Sequence, residues 1–149
     1  MKRFLIILFS LSLLSTLVQA EETKKGAMPR ICALCNMTIT DEGIKFSVSD
    51  TKSLQKVAFD DIGCALLWRD QQCATMQDSF DSNAIVHDYY TSETVGISDA
   101  VYVIDSGVKT PMGYGILAFK SKDGAERFLR EFQKGKILTY QELLMIKLK

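Results

Sequence analysis

Lys56-Val57-Ala58-Phe59-Asp60-Asp61-Ile62-Gly63-Cys64 is the stretch of this sequence that decides the fold. Its first four residues predict a β-strand, and residues 62–71 predict a helix that begins directly after the two aspartates. Either aspartate can accept hydrogen bonds from the free N–H groups in the first turn of that helix. The segment therefore predicts a strand that leads into a helix through a capping side chain.

The same strand-to-helix joint occurs a second time along the chain. Residues 113–119 predict a strand that ends in Ala-Phe, as the first strand does, and Ser121 can cap a helix over residues 122–133. Apolar residues of that helix recur at i, i+3, i+4 and i+7 from Ala125, which is helical spacing. A one-residue slip aligns Cys64 with Ala125, so the two joints predict an internal repeat.

Each joint belongs to a predicted ββαβ unit. We expect an α+β fold in which two tandem ββαβ units pack into a compact pseudo-symmetric domain, because neither unit can bury both faces of its sheet alone. The remaining predicted elements are a hairpin over residues 38–40 and 44–48, a strand at 84–90, a strand at 100–104 before a Gly107 turn, a strand at 136–140 and a short helix within 141–148. The predicted parts are a signal peptide at 1–20, a flexible segment at 21–30 and a domain at 31–149, with repeat one at about 31–91 and repeat two at about 97–145.

Residues 1–20 have the pattern of a secretory signal. Lys2 and Arg3 precede an apolar run over residues 4–18, and Val18-Gln19-Ala20 is a small-x-small cleavage site. The run is shorter than the roughly 20 residues of a membrane-spanning helix, and no cysteine follows it that could carry a lipid. We expect a periplasmic protein that is soluble after cleavage near Ala20 and has no stable membrane anchor.

Charge and motifs exclude several classes of function. The chain has 18 basic and 18 acidic residues, and loss of Lys2 and Arg3 makes the mature protein slightly acidic. A nucleic-acid partner is therefore not expected, because such binding needs a basic face. The sequence has no Gly-rich phosphate loop, no Gly-x-Ser-x-Gly and no His-Glu-x-x-His, and it has one histidine. We do not expect an enzyme.

Cys32-Ala33-Leu34-Cys35-Asn36-Met37 is the strongest candidate for a binding site. Thiolate and thioether sulfurs are soft donors, which favour Cu(I) over Mg²⁺ or Ca²⁺. A Cys-x-x-Cys pair also suits thiol–disulfide exchange, zinc binding or a structural disulfide beside a buried methionine. Exchange is less favoured because a strand, not a helix, is predicted after Met37. A four-cysteine zinc site is less favoured because Cys64 and Cys73 do not form a second Cys-x-x-Cys pair.

Four further residues have both a structural and a functional interpretation. Cys64 is either a small buried side chain or a third thiol at a helix N-terminus, where the helix dipole favours thiolate. Met112, between Pro111 and Gly113, either fills a gap in the core or meets the cysteines if the two hairpins approach each other. His87 is a half-buried strand residue or a copper ligand. Cys73, in a polar run, is an exposed thiol or half of a disulfide.

The sequence resembles the NosL family of nitrous oxide reductase accessory proteins over about residues 30–145. The similar motifs are Cys32-x-x-Cys35-Asn36-Met37, Phe59-Asp60-Asp61-Ile62-Gly63-Cys64, Val86-x-Asp88-Tyr89, Asp99-Ala100-x-Tyr102-Val103 and Pro111-Met112-Gly113. The resemblance implies two related ββαβ lobes and a periplasmic protein that delivers Cu(I) to the multicopper centre of nitrous oxide reductase. It implies a metal region at Cys32, Cys35, Met37 and Met112, with Cys64 at a matching position.

The chain departs from the family pattern in two places. Many members are lipoproteins attached through an N-terminal cysteine, which is missing here. An aromatic residue that often precedes the Asp-Ala pair is replaced by residues 96–98, Gly-Ile-Ser. The leading hypothesis is therefore a copper chaperone for nitrous oxide reductase or for another periplasmic copper acceptor. The alternative is a periplasmic thiol–disulfide oxidoreductase that uses the Cys32–Cys35 pair.

Overall fold

The structure is a computed structural model that describes residues 29–148. The predicted signal peptide at residues 1–20, and residues 21–28 of the predicted flexible segment, lie outside these described residues. No helix within 29–148 is long and apolar enough to cross a membrane.

The strands are β1 Val48–Asp50, β2 Val57–Phe59, β3 Ile85–His87, β4 Thr94–Gly96, β5 Val101–Ile104, β6 Leu117–Phe119 and β7 Lys136–Leu138. The α-helices are α1 Ile62–Asp70, α2 Ala74–Asn83, α3 Lys122–Phe132 and α4 Tyr140–Leu144.

Two antiparallel sheets form the framework, with strand orders β2-β1-β3-β4 and β6-β5-β7. In each sheet the first strand of a ββαβ unit is central, and the second and third strands pair on either side of it. The predicted α+β class is confirmed. The two units share a strand order, whereas a twofold relation between them stays a prediction.

The strand-to-helix joints have the predicted capping. The side chains of Asp61 and Ser121 each accept a hydrogen bond from a backbone N–H in the first helical turn, at 2.9 and 3.2 Å. Both caps stand two residues after the phenylalanine that ends the preceding strand. The predicted one-residue slip is therefore wrong, because Ala125 aligns with Ala65 and not with Cys64.

One large core is shared by both units. It contains α1, α2 and one face of the first sheet, together with the face of the second sheet that carries Tyr102, Ala118 and Leu138. The opposite face of the second sheet, with Val103 and Leu117, packs on α3 in a smaller core. Both faces of the second sheet are thus removed from water, which drives the packing of one unit on the other.

The predicted first hairpin is wrong. Residues 41–43 form turns, Ile44–Phe46 form one turn of 3₁₀ helix, and Thr38 makes an isolated bridge to Ile31. Gly43, Ile44 and Phe46 each donate their backbone N–H to a carbonyl three residues earlier, so these groups are not available for strand pairing. The alternation of apolar residues here reflects consecutive turns, and the hairpin forms later, between β1 and β2.

Helix α2 and strand β4 were not predicted from the sequence. Only Phe80 of α2 is buried, so its apolar periodicity is weak. Its position depends on Asp81, whose carboxylate accepts two hydrogen bonds from Arg69 and one from the hydroxyl of Tyr140, each 2.6 Å long. A tertiary ion pair of this kind leaves no local signal in the sequence.

A hydrogen-bonded junction joins the two sheets at the end of β3. The N–H of Tyr89 donates to the carbonyl of Ala118 at 2.9 Å. The Asp88 carboxylate accepts the backbone N–H groups of Thr91 and Lys120 at 2.9 and 2.8 Å. Burial alone would raise the pKa of Asp88, but the hydrogen bonds outweigh it and hold this pKa below the usual value.

Asp88→Ala is expected to lower the free energy of unfolding by about 3 kcal/mol near neutral pH, because it leaves buried N–H donors unpaired. Folding lowers the pKa of Asp88, so the Asp88 carboxylate stabilises the protein fully at a pH above the ordinary pKa of a carboxyl group. This stabilisation is lost as the pH falls through the pKa that Asp88 has in the folded protein. Urea unfolding at about pH 7 and about pH 3 measures the difference. The control is Asp78→Ala, since Asp78 is an exposed helix residue. If Asp88→Ala and the parent protein differ in stability by the same amount at both pH values, the Asp88 carboxylate does not stabilise the fold in this way.

Candidate metal centre

Residues 32–37 form a closed loop. The N–H of Cys32 donates to the carbonyl of Met37 at 2.9 Å, and the N–H of Asn36 donates to the carbonyl of Cys32 at 3.0 Å. Asn36 has φ of 62°, in the left-handed region that asparagine tolerates better than most residues. The loop therefore folds back on itself and keeps Cys32 and Cys35 on one side.

The loop lies against the first strand-to-helix joint. The N–H of Ala33 donates to the carbonyl of Ala58 in β2 at 2.8 Å. This contact brings the loop to Asp60, at the end of the strand, and to Cys64, in the first turn of α1. The Sγ atoms of Cys32, Cys35 and Cys64 and a carboxylate oxygen of Asp60 all lie within 4.8 Å of one another.

The cluster is largely shielded from water. Cys32 and Cys64 are fully buried, Asp60 is buried, and Cys35 is half-buried. The thiol of Cys35 donates to Oδ1 of Asp60 at 3.5 Å, while Oδ2 of Asp60 is buried without a hydrogen-bond partner among residues 29–148. Burial raises the pKa of both Cys35 and Cys64, and the neighbouring Cys32 and Asp60 raise it further. The thiols of Cys35 and Cys64 thus hold their protons more tightly than an ordinary cysteine, and a cation would have to displace these protons.

Met37 and Met112 are both exposed. Met37 lines a surface cavity of about 150 Å³ together with Asp60 and Pro111. The loop that carries Met112 is attached to the joint through Asp61, whose Oδ2 accepts the Thr110 hydroxyl and the Met112 N–H at 2.5 and 3.0 Å. The structure therefore brings the second unit's Pro-Met-Gly loop to the edge of the thiol cluster.

The cap residue Asp61 is fully buried, and burial raises the pKa of its carboxyl although three hydrogen bonds lower it. The same side chain caps α1 through Oδ1 and holds the Met112 loop through Oδ2. One aspartate therefore fixes the helix start and the loop together.

Two candidates lie away from the cluster. His87 is on β3, with Nδ1 3.2 Å from the carbonyl of Ser92, and its Nε2 is buried with no hydrogen-bond partner in the part of the chain that the structure describes. It is not among the side chains that gather around Cys32. Cys73 is an exposed free thiol at the N-cap of α2, and it too lies outside the cluster.

The ring of Tyr114 covers the N-terminus of α1. A Cβ atom added at Gly63 would overlap ring carbons Cγ and Cδ2 of Tyr114. Burial raises the pKa of the Tyr114 hydroxyl, and the nearby Cys64 and Asp61 raise it further. Gly63 is thus required because an aromatic ring lies directly on the helix beside the thiols.

Gly63→Ala is expected to destabilise the protein by about 2 kcal/mol, because the added methyl displaces the Tyr114 ring. In a Tyr114→Ala background the same substitution should stabilise by up to about 1 kcal/mol, since alanine is the better helix former. Urea unfolding of the four proteins of this double-mutant cycle measures the reversal of sign. An equal cost in both backgrounds would show that the ring does not impose the glycine.

The geometry argues against thiol–disulfide exchange by the Cys32–Cys35 pair. The pair lies in a turn that precedes an isolated bridge, and not at a helix N-terminus, which would lower the pKa of the attacking thiol. Cys32 is inaccessible to a substrate disulfide, and the pKa of Cys35 is raised. These are the opposite of the properties that make a thiol nucleophilic at neutral pH.

Asp60 is the residue that the sequence-based prediction of the site missed. One capping side chain serves one helix start, and Asp61 has that role, so the adjacent acid is left for another task. An Asp-Asp pair directly before a helix whose first turn carries a cysteine was the signal that could have identified it.

The fold and this cluster define an α+β protein with a thiol-rich candidate metal centre at a strand-to-helix joint. The chain belongs to the NosL family, whose model matches residues 23–145. No curated protein matches it. Among solved structures, the crystal structure of the copper chaperone NosL from Shewanella denitrificans is similar, with a TM-score of 0.51 over 78% of this chain and 92% of that one. At 18% sequence identity this likeness concerns the fold.

Proposed function

We propose that this protein is a periplasmic copper chaperone that binds one Cu(I) ion through Cys32 and Cys35. The observation that carries the proposal is the convergence of three thiols within 4.8 Å of one another, two of them fully buried. Soft sulfur donors in low coordination number suit Cu(I). Membership of the NosL family, and the copper chaperone that shares the fold, support the same cargo.

The donors have different positions and therefore different proposed tasks. Cys32 and Cys35 are the thiolate anchors, and Cys64 is a third thiolate on the side of the helix N-terminus, whose dipole stabilises negative charge. Met37 and Met112 are exposed thioethers that contact incoming or departing copper. Copper held by buried thiolates and reached through surface thioethers can pass to a partner by ligand exchange without being released into water.

Copper affinity is expected to depend strongly on pH. The pKa of Cys35 and that of Cys64 are raised, so each thiolate that binds Cu(I) displaces a proton. Affinity should then fall as the pH falls, by about tenfold per pH unit for each proton displaced. This direction favours copper retention at neutral pH and release into an acidic medium.

The proposed acceptor is nitrous oxide reductase, and another periplasmic copper protein is the alternative acceptor. Export through the signal sequence at residues 1–20 would place the chaperone in the compartment where that enzyme receives copper. A slightly acidic mature chain leaves nucleic acid outside the proposed partners.

An anaerobic Cu(I) titration of the reduced mature chain against a chromophoric Cu(I) chelator tests the proposal. The expected result is one tightly bound Cu(I) per chain, and the absence of uptake would refute a copper function. Incubation of the loaded protein with copper-free nitrous oxide reductase, compared with an unrelated copper-free oxidase, then tests the acceptor. Equal transfer to both would refute a dedicated role in nitrous oxide reductase assembly.

A further inference from the structure

A groove of about 270 Å³ lies between helix α2 and the loop that joins β1 to β2, residues 51–56. Its surface is mostly apolar, and Trp68 and Phe80 form its floor with ring centroids 5.5 Å apart. Phe80 is buried, whereas Trp68 is half-buried and so presents part of its ring to the groove. Since a cavity of about 150 Å³ accommodates a benzene ring, the groove has room for a large apolar side chain.

Helix α2, which forms one wall of the groove, contributes little to the core of its own chain. Phe80 is the one buried residue among its ten. The second unit forms without such a helix, since β7 directly follows α3 there. The ββαβ unit therefore does not require α2, and the wall that α2 gives to the groove needs an explanation beyond closing the core.

Leu54 stands at the edge of this groove and is fully exposed, more so than any other large hydrophobic residue within 29–148. The loop that carries it is fixed by Asp50, whose buried carboxylate accepts the backbone N–H groups of Lys52 and Ser53 at 3.0 and 2.9 Å. One exposed leucine on a surface is ordinary. A leucine that is held in water beside an apolar groove is a side chain ready to enter a groove of the same kind.

The loop and the helix on the two sides of the groove carry opposite charges. Lys52 and Lys56 are exposed and flank Leu54 at a distance of two residues each. Asp78 is exposed on α2, one turn beyond the groove residue Thr75. In the part of the chain that the structure describes, none of these three charges has an ion-pair partner. The surface is therefore complementary to itself in shape, apolarity and charge, as a twofold contact requires.

We propose that two copies of this chain form a twofold dimer in which Leu54 of each copy enters the groove of the other copy. Lys52 and Lys56 of each loop then face Asp78 of the opposite helix. One loop and one helix per copy make a small interface of the transient class, so we expect a dissociation constant on the order of 10 µM. The dimer goes beyond the copper function, because the groove contains none of the proposed copper ligands.

Sedimentation velocity of the reduced mature chain tests the dimer at concentrations below and above the expected dissociation constant. A reducing agent is needed because Cys73, an exposed thiol at the start of α2, would otherwise be free to link copies through a disulfide. Leu54→Ala removes the side chain that enters the groove. Met145→Ala is the matched control, since Met145 is a large apolar residue that is 84% exposed outside the groove.

For Leu54→Ala we expect the dissociation constant to rise at least about 100-fold, because both copies lose the buried side chain. Met145→Ala should dimerise as the parent does. Asp78→Lys should weaken the dimer about tenfold through like-charge repulsion, and adding Lys52→Glu with Lys56→Glu should restore most of the loss.

A parent chain that stays monomeric at every concentration refutes the dimer and leaves a different protein as the occupant of the groove. A dimer that Leu54→Ala leaves unchanged while its circular dichroism spectrum is that of the folded parent also refutes the inference. So does a charge exchange that fails to rescue Asp78→Lys. None of these results bears on Cu(I) uptake, which the chelator titration measures separately.

Discussion

Cys32→Ser combined with Cys35→Ser is expected to lower Cu(I) affinity at least about 1,000-fold, which corresponds to about 4 kcal/mol. A serine hydroxyl does not ionise at neutral pH and is a hard donor, so it does not replace a thiolate for Cu(I). The fold should persist, because serine is smaller than cysteine and the nearby Asp60 carboxylate can accept a hydrogen bond from a serine hydroxyl. Chelator competition measures the affinity, and circular dichroism monitors the fold.

Cys73→Ser is the matched control for this pair. Of the four cysteines, Cys73 is the one that lies outside the cluster, and it is exposed, so its loss should leave Cu(I) affinity unchanged within about twofold. Each single variant of the pair shows whether one thiol or both are needed. If the double variant binds copper as the parent does, the cluster around Cys32 is not the copper site.

The elements that sequence reasoning predicted well are those with local signals. Helix α1 was expected at residues 62–71 and spans Ile62–Asp70, because Asp61 caps its start. Helix α3 was expected at 122–133 and spans Lys122–Phe132, for the same reason at Ser121. A capping side chain and an apolar repeat of 3.6 residues are both local features of the sequence, so they can be recognised without knowledge of the tertiary structure.

The errors fall where tertiary contacts decide the structure. Val48–Asp50 becomes a strand because it pairs with β2 on one side and β3 on the other, although its own residues are polar except Val48. Residues 44–46 alternate like a strand, yet they form a turn of 3₁₀ helix, and no strand of the described residues pairs with them. Three-residue strands of this kind depend more on their partners than on their own composition.

The site was predictable in its sulfur donors and not in its oxygen donor. A shared family motif and helix position identify Cys64, and a short spacing identifies Cys32 and Cys35. Asp60 enters the cluster only because the loop of Cys32 lies on β2, through the hydrogen bond from Ala33 to Ala58. A contact between segments separated by more than twenty residues has no counterpart in local sequence spacing.

Asp61→Ala is expected to lower both the stability of the protein and its affinity for Cu(I). It removes the cap of α1 and both hydrogen bonds that hold the Met112 loop, leaving buried donors unpaired. The free energy of unfolding should fall by about 3 kcal/mol. Cu(I) affinity should fall about tenfold if the proposed thioether of Met112 takes part, because its loop is no longer held at the strand-to-helix joint. Urea unfolding and the chelator titration measure the two effects.

Asp61→Asn separates the two roles of this side chain. Its amide oxygen can still accept the N–H of Gly63 and cap the helix, but its NH₂ group then faces the N–H of Met112, and two donors cannot bond to each other. Burial raises the pKa of Asp61, so asparagine also removes a buried charge and should cost less stability than alanine. For Asp61→Asn we expect the free energy of unfolding to fall by about 1 kcal/mol. Its Cu(I) affinity should fall about tenfold, as in Asp61→Ala. Copper binding at the parent level in Asp61→Asn would mean that the anchored loop does not act in copper binding.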